Sequence, residues 1–82
     1  MEKEFKTILD VRTPEEFTSG NIPGSINIPL QQIPIKLEAI KQLEQPILLC
    51  CASGARSYQA EIYLKNCGVD CANAGSWLNI KC

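Results

Sequence analysis

Ile47-Leu48-Leu49-Cys50-Cys51-Ala52-Ser53-Gly54-Ala55-Arg56-Ser57 passes from an unbroken apolar run, through small residues, into a segment patterned as a helix. Apolar residues in succession from Ile47 to Cys50 suit a strand covered on both faces, as a central strand of a parallel sheet is. The stretch therefore reads as strand, tight loop, helix, with the Cys51 thiol at the mouth of the loop and the Arg56 guanidinium at its far end. Unpaired backbone N–H groups and the helix dipole at such a point favour a thiolate, and Arg56 adds a permanent cation. That combination suits sulfur or anion chemistry.

On the N-terminal side, Thr7-Ile8-Leu9-Asp10-Val11 has the pattern of a second buried strand. Thr13-Pro14-Glu15-Glu16 marks a helix start: Thr13 caps, Pro14 sits where its missing N–H is harmless, and Glu16 completes a capping box. Gly20 ends that helix, and Ser25 to Ile28 forms a short edge strand stopped by Pro29. From Pro34 to Leu43 the residues Leu37, Ala39, Ile40 and Leu43 recur at helical spacing. Beyond the loop, Ser57 to Cys67 predicts an amphipathic helix with Ala60, Tyr63, Leu64 and Cys67 on one face, and Gly68 suits its left-handed cap. Cys71 to Ala74 reads as a last strand, and the tail from Gly75 to Ile80 as a final short helix. Alternating strands and helices imply an α/β fold with a parallel sheet, whose ligands lie beyond the carboxyl ends of the strands.

The chain has 82 residues, enough for one domain over residues 1–82, and a domain of that size buries roughly 60% of its unfolded surface. A net charge of -1 with eight scattered basic residues argues against nucleic acid or an anionic membrane as partner. No apolar run approaches a membrane span, and Met1 to Lys6 is charged where a signal peptide turns apolar, so a cytoplasmic address is expected. Cysteines stand at 50, 51, 67, 71 and 82, an odd set expected to be free thiols in a reducing compartment. Cys67 and Cys71 lack the paired spacing of a zinc site, and neither metal nor cofactor is expected. With no histidine in the chain, Ser-His-Asp and Cys-His catalysis are excluded, leaving backbone dipoles and arginine to activate a nucleophile.

Three segments in this order and spacing, Asp10-Val11-Arg12-Thr13-Pro14-Glu15-Glu16-Phe17, Gly20 to Pro29, and Cys51 to Ser57, resemble the single-domain rhodaneses. The resemblance runs from about Thr7 to Trp77. It implies a three-layer α/β fold, a central parallel sheet of about four to five strands flanked by helices, in a version short at its N-terminal end. It further implies a sulfurtransferase: Cys51 takes a sulfane sulfur from a small anionic donor such as thiosulfate, becomes a persulfide, and passes the sulfur to cyanide, a thiol or a thioredoxin-like acceptor. On that basis Cys51 and Arg56 are catalytic, Ala52, Ser53, Gly54, Ala55 and Ser57 bind the substrate, with Ser53 offering a hydroxyl, and Asp10 and Arg12 support the site structurally. Asn21 stands where many members carry histidine. The short N-terminal side implies an uncovered sheet edge, open to self-association or docking.

Alternatives remain. Counted from Cys50, the loop has the Cys-x5-Arg spacing of cysteine phosphatases and arsenate reductases; counted from Cys51 it is the tighter Cys-x4-Arg, with Gly54 in the rhodanese position. A binding or regulatory module that keeps the fold without turnover is a further possibility. Cys82 offers a thiol that could resolve a Cys51 persulfide, and Trp77 reads as a lid over the core.

Overall fold

The computed structural model describes residues 4–80. Four strands, β1 (Thr7–Asp10), β2 (Ile26–Asn27), β3 (Ile47–Cys51) and β4 (Cys71–Ser76), form one sheet in the order β2-β1-β3-β4, with every pair parallel. The apolar run takes the central position that its two-sided hydrophobicity requires, and β2 and β4 are the edges. Helices α1 (Pro14–Ser19), α2 (Leu37–Lys41) and α3 (Ala55–Asn66) make the connections, with 3-10 turns at Leu30–Gln32 and Trp77–Asn79.

Side chains two apart on a strand share a face. Leu9 and Val11 thus join Ile47, Leu49 and Cys51 on one face, where they meet Ile33, Ile40, Ala60 and Leu64 in a single buried cluster. Each fully buried Leu or Ile there contributes about 1.5–3 kcal/mol. The opposite face carries Asp10 beside Cys50, paired across β1 and β3 and both buried. Arg12 covers them, bonded to the carbonyls of Glu16 in α1 and of Gly20 just beyond it, with the Trp77 ring 4.6 Å from its guanidinium carbon. Trp77 is therefore a lid over a buried cation rather than over the apolar cluster.

Several boundaries differ from the sequence expectation. The helix expected from Pro34 to Leu43 shortens to α2, residues 33–36 forming turns ahead of it; Ala39, expected on its buried face, is exposed. Helix α3 begins two residues early, at Ala55, which brings Arg56 into its first turn. Strand β4 runs on to Ser76 and leaves only a 3-10 turn of the expected final helix. The expected Thr13–Glu16 capping box is present, and Gly68 has a left-handed φ of 89° just beyond α3. Asn21 donates to the Phe17 carbonyl at 2.7 Å, closing the end of α1. Cys82 lies outside the described residues. No helix among those described is long and apolar enough to cross a membrane.

Candidate active-site loop

Cys51 is the last residue of β3, so its side chain turns to the core face while Cys50 turns to the other. The loop then folds back over the sulfur. The Gly54 amide donates to Cys51 Sγ at 2.9 Å, and the Ser57 amide and hydroxyl both lie 3.4 Å away. Gly54 is the N-cap of α3 with φ of 106°, so the two amide donors are otherwise unpaired N–H groups of a helix start.

Burial pushes the Cys51 thiol up, but the hydrogen bonds from the Ser57 hydroxyl and from the Ser57, Gly54 and Ser53 amides outweigh it, and its pKa is lowered from the ordinary thiol value. A sulfur held this way is a thiolate at lower pH than an ordinary cysteine. Cys51 nevertheless has no exposed surface. The expectation of a thiol standing at the loop mouth is corrected here, because the amides that stabilise the anion also cover it. Ala52, Ser53 and Ala55 are the exposed residues of the loop.

The hydroxyl expected from Ser53 is supplied by Ser57 instead. Ser57 is buried, and its Oγ lies 2.6 Å from Asn73 Oδ1 and 3.3 Å from the Gly54 carbonyl as well as near Cys51. One hydroxyl hydrogen serves one of these acceptors well. The contact to Asn73 is the shortest of the three. Asn73 also donates to the Gly54 carbonyl at 3.2 Å and accepts from the Gly75 amide at 2.8 Å, so it ties β4 to the loop. The pairing of β3 with β4 shifts register after Leu49, a bulge that includes Gly75 at φ 86°. A side chain at Gly54 would meet the Gly75 Cα at 3.1 Å, so the close approach of loop and bulge favours glycine at 54.

Cys50 has a different environment. It is fully buried beside Asp10, and burial first, then the Asp10 charge, push its thiol up to about 12. The wider Cys-x5-Arg register therefore places its nucleophile where the thiol form dominates. Asp10 and Arg12 act as supports: Arg12 Nη2 donates to Asp10 Oδ2 at 2.7 Å, its Nε and amide bond the same carboxylate at 3.0 Å, and both residues are buried. Asn27 adds bonds to the Asp10 and Arg12 carbonyls, at 3.0 and 2.9 Å, which fix the end of β1.

Arg56 does not lie unpaired over the loop. Its Nη1 and Nη2 donate to Glu16 Oε1 and Oε2 at 2.8 and 3.0 Å, a two-bond fork between α3 and α1. The Arg56 bond first, then the Thr13 amide, hold Glu16 well down, at about 2. Glu16 and Asn73 are the residues at the loop that sequence reasoning left unassigned to it. Glu16 was visible as a capping residue, and its second bond spans 40 positions.

Replacing Ser57 with alanine removes the one side-chain hydroxyl that bonds the Cys51 sulfur among the described residues. The midpoint of the Cys51 pH–reactivity curve is expected to rise by about one unit, with reactivity falling on the acid side and converging with the wild type at high pH. Alkylation rate against pH, read by mass spectrometry at Cys51, measures it; an unmoved midpoint would assign the stabilisation to the amides alone.

The same fold is found in known proteins. Residues 1–79 match the family model of the rhodanese-like domain. A sulfurtransferase of Allochromatium vinosum is 41% identical over 61 residues, covering 74% of this chain and 56% of that protein. The thiosulfate sulfurtransferase PspE of Escherichia coli is 31% identical over 74 residues, covering 88% of this chain and 71% of its own length. Among solved structures, a rhodanese with anions from E. coli superposes with a TM-score of 0.80 at 30% identity, covering 90% of this chain and 89% of that one. This chain thus spans a little over half of the A. vinosum protein. A match over nearly its whole length, beside relatives more than 30% identical, makes the chain a member of the rhodanese-like family.

Proposed function

We propose that this domain is a sulfurtransferase that carries sulfane sulfur as a persulfide on Cys51. The observation that carries the proposal is the set of donors on its sulfur, two amides and a hydroxyl within 3.4 Å. Donors arranged around one anionic sulfur stabilise the thiolate that attacks, and they also suit the terminal sulfur of a persulfide. Relatives named as sulfurtransferases, two of the chains at more than 30% identity, support the same chemistry.

With thiosulfate as donor, the Cys51 thiolate attacks the outer sulfur, a new S–S bond forms, and sulfite leaves with the electron pair of the broken S–S bond. Charge and atoms balance without a cofactor. The acceptor, cyanide or the thiolate of a small molecule or a thioredoxin-like protein, then attacks the terminal sulfur and releases Cys51 as thiolate. Arg56 acts on the incoming anion, which meets Ala52, Ser53 and Ala55 at the surface of the loop, with Gly54 and Ser57 holding the sulfur beneath.

Thiocyanate production from thiosulfate and cyanide tests the proposal. The wild type and Cys50→Ala are expected to turn over at similar rates, while Arg56→Ala loses about ten- to a hundredfold in kcat/KM for thiosulfate and melts close to the wild type. Dependence on Cys50 would point to phosphatase-like chemistry in the wider register. No turnover with any sulfane donor would leave a binding module.

A further inference from the structure

The pairing of Arg56 sets the electrostatics that a donor meets, and resting on the persulfide reading above, it narrows the donor class. Arg56 is the only basic residue between Cys51 and Glu61. Its guanidinium is engaged by both oxygens of Glu16. Glu16 is itself held in place, since its Oε1 also accepts from the Thr13 amide at 2.9 Å within the capping box. The buried cation Arg12 is matched by Asp10. Each guanidinium is thus offset by a carboxylate, and the donors left to act on the Cys51 thiolate are the Gly54 and Ser57 amides and the Ser57 hydroxyl.

We propose that Glu16 is a positioning residue for donor selectivity: by neutralising Arg56 it biases the loop toward sulfane donors with one negative charge, persulfides R–S–S−, and against the thiosulfate dianion. With a persulfide donor the Cys51 thiolate attacks the outer sulfur, the S–S bond of the donor breaks, and RS− leaves with its electrons. Two monoanions enter and two leave. A dianion feels any uncancelled negative charge at the loop twice as strongly as a monoanion does.

Glu16→Gln keeps a residue that completes a capping box and removes the charge. The test compares kcat/KM for thiosulfate and for hydroxyethyl persulfide, which carries a single charge, in wild type and Glu16→Gln. Thiosulfate is expected to gain about tenfold and the persulfide about threefold, the logarithmic gains standing in the ratio of the donor charges. Equal changes for both donors, or a loss with thiosulfate, would make Glu16 a structural residue only and overturn the proposal. Should the variant fold poorly, the wild type alone decides: kcat/KM for thiosulfate is expected to rise with ionic strength, and a fall would reveal an uncancelled cation at the loop. If neither donor adds sulfur to Cys51 in wild type, by intact mass, the persulfide reading itself fails and this proposal falls with it.

Discussion

Arg12→Ala is expected to destabilise the domain by about 3–5 kcal/mol, the cost of leaving a buried carboxylate without its partner. Asp10 is 1% exposed and Arg12 4%, so water cannot replace the lost bonds to the carboxylate. The same substitution removes the bonds to the Glu16 and Gly20 carbonyls and the cation against the Trp77 ring. For a domain of this size the whole stability is on the order of 4–12 kcal/mol, so the variant should be largely unfolded at modest urea. The double variant Asp10→Asn, Arg12→Gln removes both charges while keeping hydrogen-bonding groups, and should retain more stability than Arg12→Ala alone. Urea denaturation measures both; a loss below about 1 kcal/mol in Arg12→Ala would show that the pair behaves as an exposed one.

Cys51→Ser is expected to lower sulfur transfer by at least about a thousandfold while leaving the fold intact. Serine keeps the shape of the side chain and accepts from the Gly54 and Ser57 amides, but its hydroxyl does not ionise near neutral pH, and oxygen cannot form the polarisable S–S bond the reaction needs. Cys50→Ala has the opposite profile. It removes a buried thiol beside Asp10, at some cost in packing, and takes nothing from the loop. A Cys51→Ser protein that still transferred sulfur at the wild-type rate would move the chemistry to another thiol.

The parts of this molecule that were legible in the sequence are those decided by neighbours in the chain. The two-sided apolarity of Ile47 to Cys50 gives a central strand, Thr13 and Glu16 give a cap, and Gly68 gives the left-handed end of a helix, each within a few residues. Less visible were contacts made when distant segments meet. Asn73 reaches the loop because a bulge in β4 lets Gly75 approach Gly54, and Glu16 finds Arg56 only when α1 and α3 lie side by side. The complete burial of Cys51 was missed for the same reason: a thiol written at the start of a loop looks open until the loop folds over it. Boundaries shifted where local signals were weak, as at Leu30–Gln32, where no cap or periodicity announces the 3-10 turn.

The most direct test of Cys51 as sulfur carrier is the intact mass of the reduced protein before and after thiosulfate, and separately hydroxyethyl persulfide, run beside Cys50→Ala and Cys51→Ser. Wild type and Cys50→Ala should each gain one sulfur atom that cyanide removes, and Cys51→Ser should gain none. A gain that survives in Cys51→Ser, or that vanishes only in Cys50→Ala, would contradict the assignment of the persulfide to Cys51.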